Sequence, residues 1–451
     1  MRPLIGIFQI DSALVSAAAT RAWTGLAGIV TLLFISRFLG SVEQGYYYAF
    51  WSLLALQSFV ELGLLVVIVS VASHEWAHLS MSGRGRLEGP PRHVARLIAF
   101  GRFVVAWFCL LTLLFVLVAG GAGYVFLART GHAEVAWRLP WLVAILFAGG
   151  VLFLSSLLAL LEGCNQVQQV HRLRLAQAVA ASGALWFALA HGWALWSVGV
   201  MLATSLLVGT VYVAIRYREL VRAIAAGSST SDFSWRTDVW PMQWPLALQG
   251  IAAYFMYSMF VPVTFAYAGA AAAGRVGMAL QIGTAVGSIA VTWMLVRQPQ
   301  LGVLYARSEV AGFRALWRRS AAACFVTGIV GSTLVVIAAA AAEAMRMPLA
   351  ERLPSSTALS LLLSWIVTGL IVQCLASYWR AMKTELIGVW GSVPGVLTGL
   401  AVWTGGRYYA ELGAILGALL VSIVVTVPLA LFFWRIAKAS LQLRAAEGGV
   451  A

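Results

Sequence analysis

"SRFLGSVEQGYYYAFWSLLALQSFVELGL", residues 36–64, joins two long apolar runs through a short polar knuckle. It leaves an acid, Glu61, well inside the second run. An uncharged run of about 20 residues is long enough to cross a bilayer as a helix. Runs of this kind recur along the whole chain, so the knuckle reads as the first tight hairpin of a polytopic membrane protein. Composition agrees: 61% of the 451 residues are hydrophobic, 10% are charged, and mean hydropathy is +0.89. A soluble domain carries about 25% charged residues.

Reading from charge to charge places helices near 14–38, 46–72, 99–128, 139–162, 174–190, 193–215, 239–266, 274–296, 320–343, 355–379, 386–404 and 411–434. With both termini in the cytoplasm, 22 of the 30 basic residues fall on the inner side and 7 on the outer. The remaining one, Arg21, lies within the first span. Basic residues favour the cytoplasmic face, and an error of one helix would scramble this alternation. The formal charge of +14 therefore sits between spans, where anionic lipid headgroups are the expected partner and nucleic acid is not. The start, "MRPLIGIFQIDSAL", is too interrupted by Asp11 to read as a cleaved signal. Cys109, Cys164, Cys324 and Cys374 are scattered through apolar runs as packing residues, without a disulfide or metal pattern. No cofactor is expected.

The fold class expected is all-α, twelve transmembrane helices in two six-helix lobes related by a pseudo-two-fold axis. The lobes are 1–215 and 239–451, joined by the cytoplasmic linker 216–238 with its Ser/Thr/Gly composition. The halves echo each other. Gly40 and Gly45 flank the first outer turn, and Gly269 and Gly274 flank the corresponding one. "RLP" recurs at Arg138–Pro140 and Arg352–Pro354. Six spans per half give both halves one orientation, a parallel repeat suited to alternating access. "GSVPGVLTG" (391–399) and "GAILG" (413–417) carry glycines at four-residue steps, a signature of close helix packing.

Three features could carry chemistry. "HEWAH", His74 to His78, matches a zinc-peptidase pattern. It falls where the second helix leaves the membrane, and no third ligand motif accompanies it, so it reads as an interfacial helix end. A membrane zinc protease remains a remote alternative. Arg21 lies about 10 Å in from the cytoplasmic start of the first span, and Glu61 about 16 Å from the cytoplasmic end of the second, at 1.5 Å per residue. Burying either alone costs at least about 2.5–3.5 kcal/mol, so each needs a partner or an aqueous path. They form either a structural ion pair or the lining of an anion-binding cavity; a pair can do both. Gln57 and Arg37 join them as candidate substrate contacts. The seventh span, "WPMQWPLALQGIAAYFMYSMFVPVTFAYAG" (240–269), offers Gln249, Tyr254 and Tyr257 amid Pro241, Pro245 and Pro262. Prolines within a span permit a bend. Aromatic faces beside amides suit sugar rings, although aromatics also anchor spans at interfaces.

"ISRFLGSVEQGYYYAFWSLLALQSFVELGL" (35–64), followed by "SVASHEWAHL" (70–79), resembles the first helical pair of the polysaccharide transporter family. "LLALLEGCNQV" (157–167) resembles the end of its fourth helix. These are flippases of the multidrug, oligosaccharidyl-lipid and polysaccharide exporter superfamily. The resemblance implies two six-helix bundles around a central cavity in a bacterial inner membrane. It implies translocation of a polyprenyl-diphosphate-linked oligosaccharide to the periplasmic leaflet, alongside other polysaccharide-assembly proteins. Arg21 would then meet the diphosphate. A lipid II flippase would be expected to have fourteen spans, against twelve here. The same fold serves ion-coupled multidrug exporters, the alternative reading. A membrane polymerase or glycosyltransferase would need larger outer loops than 344–355, so an enzyme is not expected.

Overall fold

Lipid offers no water to backbone amides and carbonyls, so a chain this apolar must satisfy them within helices. The computed structural model is accordingly almost wholly helical. It describes residues 12–131, 134–226, 240–382 and 390–447. Twelve spans are traced by these residues. The first is Ser12–Phe38; the second runs from Ser41 to Trp76 with a 44° bend. Then come Pro91–Thr130, Arg138–Gly163, Val167–Ala190 and Trp196–Arg216. The seventh comprises Trp240–Tyr257 and Phe260–Ala268. Ala270–Ala306, Val310–Ala344 and Ser356–Ala381 follow.

The last two spans occupy one helical run, Ser392–Glu447, which reverses at Tyr409 (φ −131°) and Ala410 (φ 54°). A Cβ on Gly405 would lie 2.1 Å from the Gly413 carbonyl oxygen, and one on Gly417 would lie 2.5 Å from that of Ala401. Both pairs are symmetric about residue 409, so the run folds back on itself as an antiparallel hairpin. The glycine stripes are the contact surfaces that the sequence suggested: Gly395 and Gly399 take Ala252 and Phe255 of the seventh span.

By internal contacts the chain divides into two compact units. One comprises Met1–Leu39 and Leu53–Gly250, the other Gly40–Ser52 and Ile251–Ala451. The first half of the second span thus belongs with the later spans, and the start of the seventh with the earlier ones.

In the first unit the first and fifth spans are pinned by indole donors. Trp23 Nε1 donates to Ser182 Oγ (3.0 Å) and Trp186 Nε1 to Thr31 Oγ1 (2.9 Å). After the second span a two-stranded hairpin, β1 (Ser80–Ser82) and β2 (Arg86–Glu88), docks on the short helix Arg218–Ala226. Glu219 N donates to Arg84 O (3.1 Å) and an Arg216 guanidinium nitrogen to Gly83 O. The helix buries Leu220 and Ile224 and exposes Arg222. The linker expected at 216–238 begins in this helix, and 227–238 lies outside the described residues.

Two expectations are corrected. Gly45 and Gly274 are not turn residues. Each lies inside a helix, Ser41–Leu54 and Ala270–Ala306, because those helices start four residues or more before the charge boundaries implied. The two glycines let the helices cross at backbone contact: a Cβ on Gly45 would sit 1.9 Å from Ala270 O. Of the four repeat glycines, Gly269 alone has positive φ (87°). The "RLP" echoes also differ, since Arg138–Pro140 forms the first turn of the fourth span, whereas Arg352–Pro354 precedes the tenth.

Candidate functional site

The second span breaks where its acid lies. The helix stops at Leu54, a short turn of helix covers Gln57–Glu61, and helix resumes at Leu64. Leu62 (φ 45°) and Gly63 (φ 73°) are consecutive left-handed residues, which cannot continue an α-helical ladder. Gly63 is required twice over: for its φ, and because a Cβ there would lie 2.4 Å from Leu246 Cβ. The start of the seventh span therefore packs directly on the break. Gly250 likewise faces Ser58 O.

Gln57 and Glu61 both belong to this interrupted segment and both are partly exposed. Among the described residues no cation pairs with Glu61. Arg21 stands on the helix of the first span, its side chain outside the described residues. Arg37, in the last turn of the first span, is exposed, as is Gln249. Tyr254 is buried (9% exposed). Tyr257 is open, and it faces a cavity.

That cavity, of about 260 Å³, lies wholly within the second unit. Three spans and the hairpin build it. Tyr257 comes from the seventh span, Thr284 and Ser288 from the eighth, Trp365 and Gln373 from the tenth, Thr398 from the eleventh, and Ser422 and Thr426 from the twelfth. Pro262 explains how Tyr257 reaches it. A proline has no N–H and its ring crowds the carbonyl four residues earlier, here Ser258, and the helix is interrupted at Ser258–Met259. Tyr257 therefore ends one helical segment beside Trp365 (ring centroids 5.7 Å apart). Ser422–Thr426 is a π-helical turn, a wider coil that recurs at functional sites. Among the described residues, the lining contains hydroxyls, one amide and aromatic or aliphatic groups, and no formally charged side chain. Sequence reading misses these hydroxyls, because isolated Ser and Thr on three different spans show no pattern in one dimension.

The "HEWAH" residues are engaged elsewhere. Glu75 Oε1 pairs with Arg96 Nε (2.9 Å) and its Oε2 lies 3.5 Å from His93 Nδ1. The His93 ring packs against His78 at 4.5 Å. A carboxylate held this way fixes the end of the second span to the start of the third. Among the described residues no three His, Cys, Asp or Glu side chains are placed to hold a metal ion.

No family model matches the chain, and no curated protein does. Solved structures do. An inward-facing multidrug resistance MATE transporter of the MOP superfamily superposes with a TM-score of 0.65 at 12% identity, over 95% of this chain and 99% of that one. The lipid II flippase MurJ in an inward closed conformation gives 0.61 at 10% identity, over 96% and 91%. A MOP superfamily transporter from Pyrococcus furiosus, described as having a binding pocket of reversed polarity, gives 0.51 at 13% identity, over 96% of each chain. The fold is that of the MOP superfamily transporters, and the chain is a multi-pass membrane protein.

Proposed function

We propose that the protein is a flippase that carries a polyprenyl-diphosphate-linked oligosaccharide from the cytoplasmic to the periplasmic leaflet of a bacterial inner membrane by alternating access. The observation that supports this most is the near full-length likeness to a lipid II flippase, in a chain whose sequence resembles the polysaccharide transporter family. Arg21 would meet the diphosphate, with Glu61, Gln57 and Arg37 beside the path. Helix-breaking residues around Glu61 suit that role, since interrupted helices at membrane depth line transport sites. The arginines about β1, β2 and the Arg218–Ala226 helix would hold anionic headgroups at the cytoplasmic face.

A second reading is supported by the likeness to a MATE transporter: an ion-coupled exporter of small molecules. In that reading Glu61, the one carboxylate deep within a span among the described residues, would carry the coupling ion.

Reconstitution separates the two. Proteoliposomes loaded with a fluorescent polyprenyl-diphosphate oligosaccharide should move the glycan across the bilayer, read by protection from an external glycan-binding quencher. Efflux of a cationic dye along an imposed proton or sodium gradient, with no glycan movement, would establish the exporter instead.

A further inference from the structure

We infer that the cavity of the second unit is a subsite for one uncharged sugar ring. The inference rests on the flippase reading and deepens it: it names a neutral glycan as the part of the cargo bound here.

Hydrogen-bond direction carries the argument. Ser288 Oγ donates to Thr284 O (2.7 Å), Thr284 Oγ1 to Gln281 O (3.0 Å), and Thr398 Oγ1 to Pro394 O (2.7 Å). Thr368 Oγ1 gives its proton to Trp365 O (2.7 Å), so Ser422 Oγ donates to Thr368 Oγ1 (2.8 Å). A hydroxyl has one proton and two lone pairs, so those that give their proton to their own helix present acceptors to the space in front of them. The cavity wall is thus a row of acceptors, with the Gln373 amide adding donors and acceptors together.

Such a wall selects its ligand. An anionic sugar would set its carboxylate against acceptors, with no cation in the lining to offset it. An organic cation would find no counter-charge, and an unpaired ion away from water is costly. An alkyl chain would leave the acceptors and the amide facing hydrocarbon. A pyranose answers all of these: its hydroxyls rotate to donate, and its C–H face covers the Tyr257 and Trp365 rings. Such hydrogens prefer the electron-rich face of an aromatic ring.

Size agrees. Sites for drug-sized ligands occupy roughly 300–1,000 Å³, so 260 Å³ suits one ring and not an oligosaccharide. The π-helical turn gives a second, independent sign. Ser422 and Thr426, the first and last of its five residues, both line the cavity. Of the lining residues on the tenth span, Trp365 and Ile366 belong to one apolar cluster and Leu370 to another.

Binding to the full-length protein in lipid nanodiscs tests this directly, by saturation-transfer difference NMR. The probes are methyl β-glucoside, methyl N-acetyl-β-glucosaminide, methyl glucuronide and tetraphenylphosphonium. The two neutral glycosides should bind and the other two should not. Gln373→Leu and Ser288→Ala, both at open positions, should each weaken glycoside binding about fivefold, the worth of one hydrogen bond. Thermal unfolding should be unchanged in both. Equal glycoside binding by wild type and both variants would overturn the subsite, as would binding of the phosphonium or glucuronide alone. The liposome assay keeps the two readings apart. Glycan transport without glycoside binding removes the subsite and leaves the flippase; glycoside binding that the variants weaken, without transport, does the reverse.

Discussion

Gly45 and Gly274 occupy the same place in the two halves of the sequence, and in the folded chain they meet. A Cβ on Gly274 would lie 2.9 Å from Gly45 N and 3.2 Å from Ser41 O. Gln44 Nε2 donates to Gly274 O (2.9 Å), and three residues further on Tyr48 packs on Gly277 and donates its hydroxyl to Gln281 Oε1 (2.8 Å). A sequence repeat has become a contact.

Valine at either glycine should therefore lower the yield of folded protein. Backbone atoms, not flexible side chains, stand in the way, so the helices must separate, and overpacking of this kind costs about 1–3 kcal/mol or more. Gly45→Val should be the worse, at 1.9 Å against 2.9 Å. Fluorescence-detected size exclusion and thermal unfolding measure it. Normal yield with altered substrate choice would contradict the packing role.

Arg21 and Glu61 call for a charge test. Arg21→Ala should abolish transport in a protein that still inserts and folds. Arg21→Lys keeps the charge without the bidentate fork and should keep partial activity if a diphosphate is bound. Glu61→Gln should slow turnover if Glu61 carries a coupling proton, and do little if it only pairs with Arg21. The swap, Arg21→Glu with Glu61→Arg, should fail in complementation. Full activity of the swapped protein would make the two a structural pair.

The "HEWAH" segment should behave as a helix tie. His74→Gln with His78→Gln should leave transport intact, while Glu75→Gln should cost up to about 1 kcal/mol of stability, as partly exposed pairs do. Zinc bound stoichiometrically and lost in the histidine double variant would restore the protease.

Topology can be read by labelling. Single cysteines at Ser228 and Ser355, in a protein without its four native ones, should react from opposite faces: Ser228 only after permeabilisation, Ser355 in intact cells. Labelling of both from one side would sink the arrangement with cytoplasmic termini.

The span count was legible because charge clusters at the membrane surfaces, and lipid enforces that rule on every loop. Even the last turn, with almost no loop, showed as "GGRYYAE" around Arg407 and Glu411. The break at Leu62–Gly63 was less visible. Its only trace is "ELG", and a glycine after an acid occurs in many unbroken helices. The spacing of Gly45 and Gly274 is visible in the sequence but their place inside helices is not, since charge marks where a helix meets water, not where it starts. The cavity left no linear trace. Thr284, Gln373, Thr398 and Ser422 gather only once four helices are packed, and each alone is an ordinary polar residue in a span.

The mirrored glycines about Tyr409 bear on how the chain is made. The last two spans touch backbone to backbone beside their turn, so they can pair as soon as both have left the ribosome and enter the bilayer as one wedge. The wedge's tip carries Arg407 and Glu411, which nearly cancel in charge. In the finished protein Glu411 pairs with Arg275 (3.1 Å). Such a tip gives the insertion machinery little reason to prefer one side. Direction would then fall to Arg435 and Lys438, at the other end of the twelfth span from that tip, since basic residues favour the cytoplasmic face.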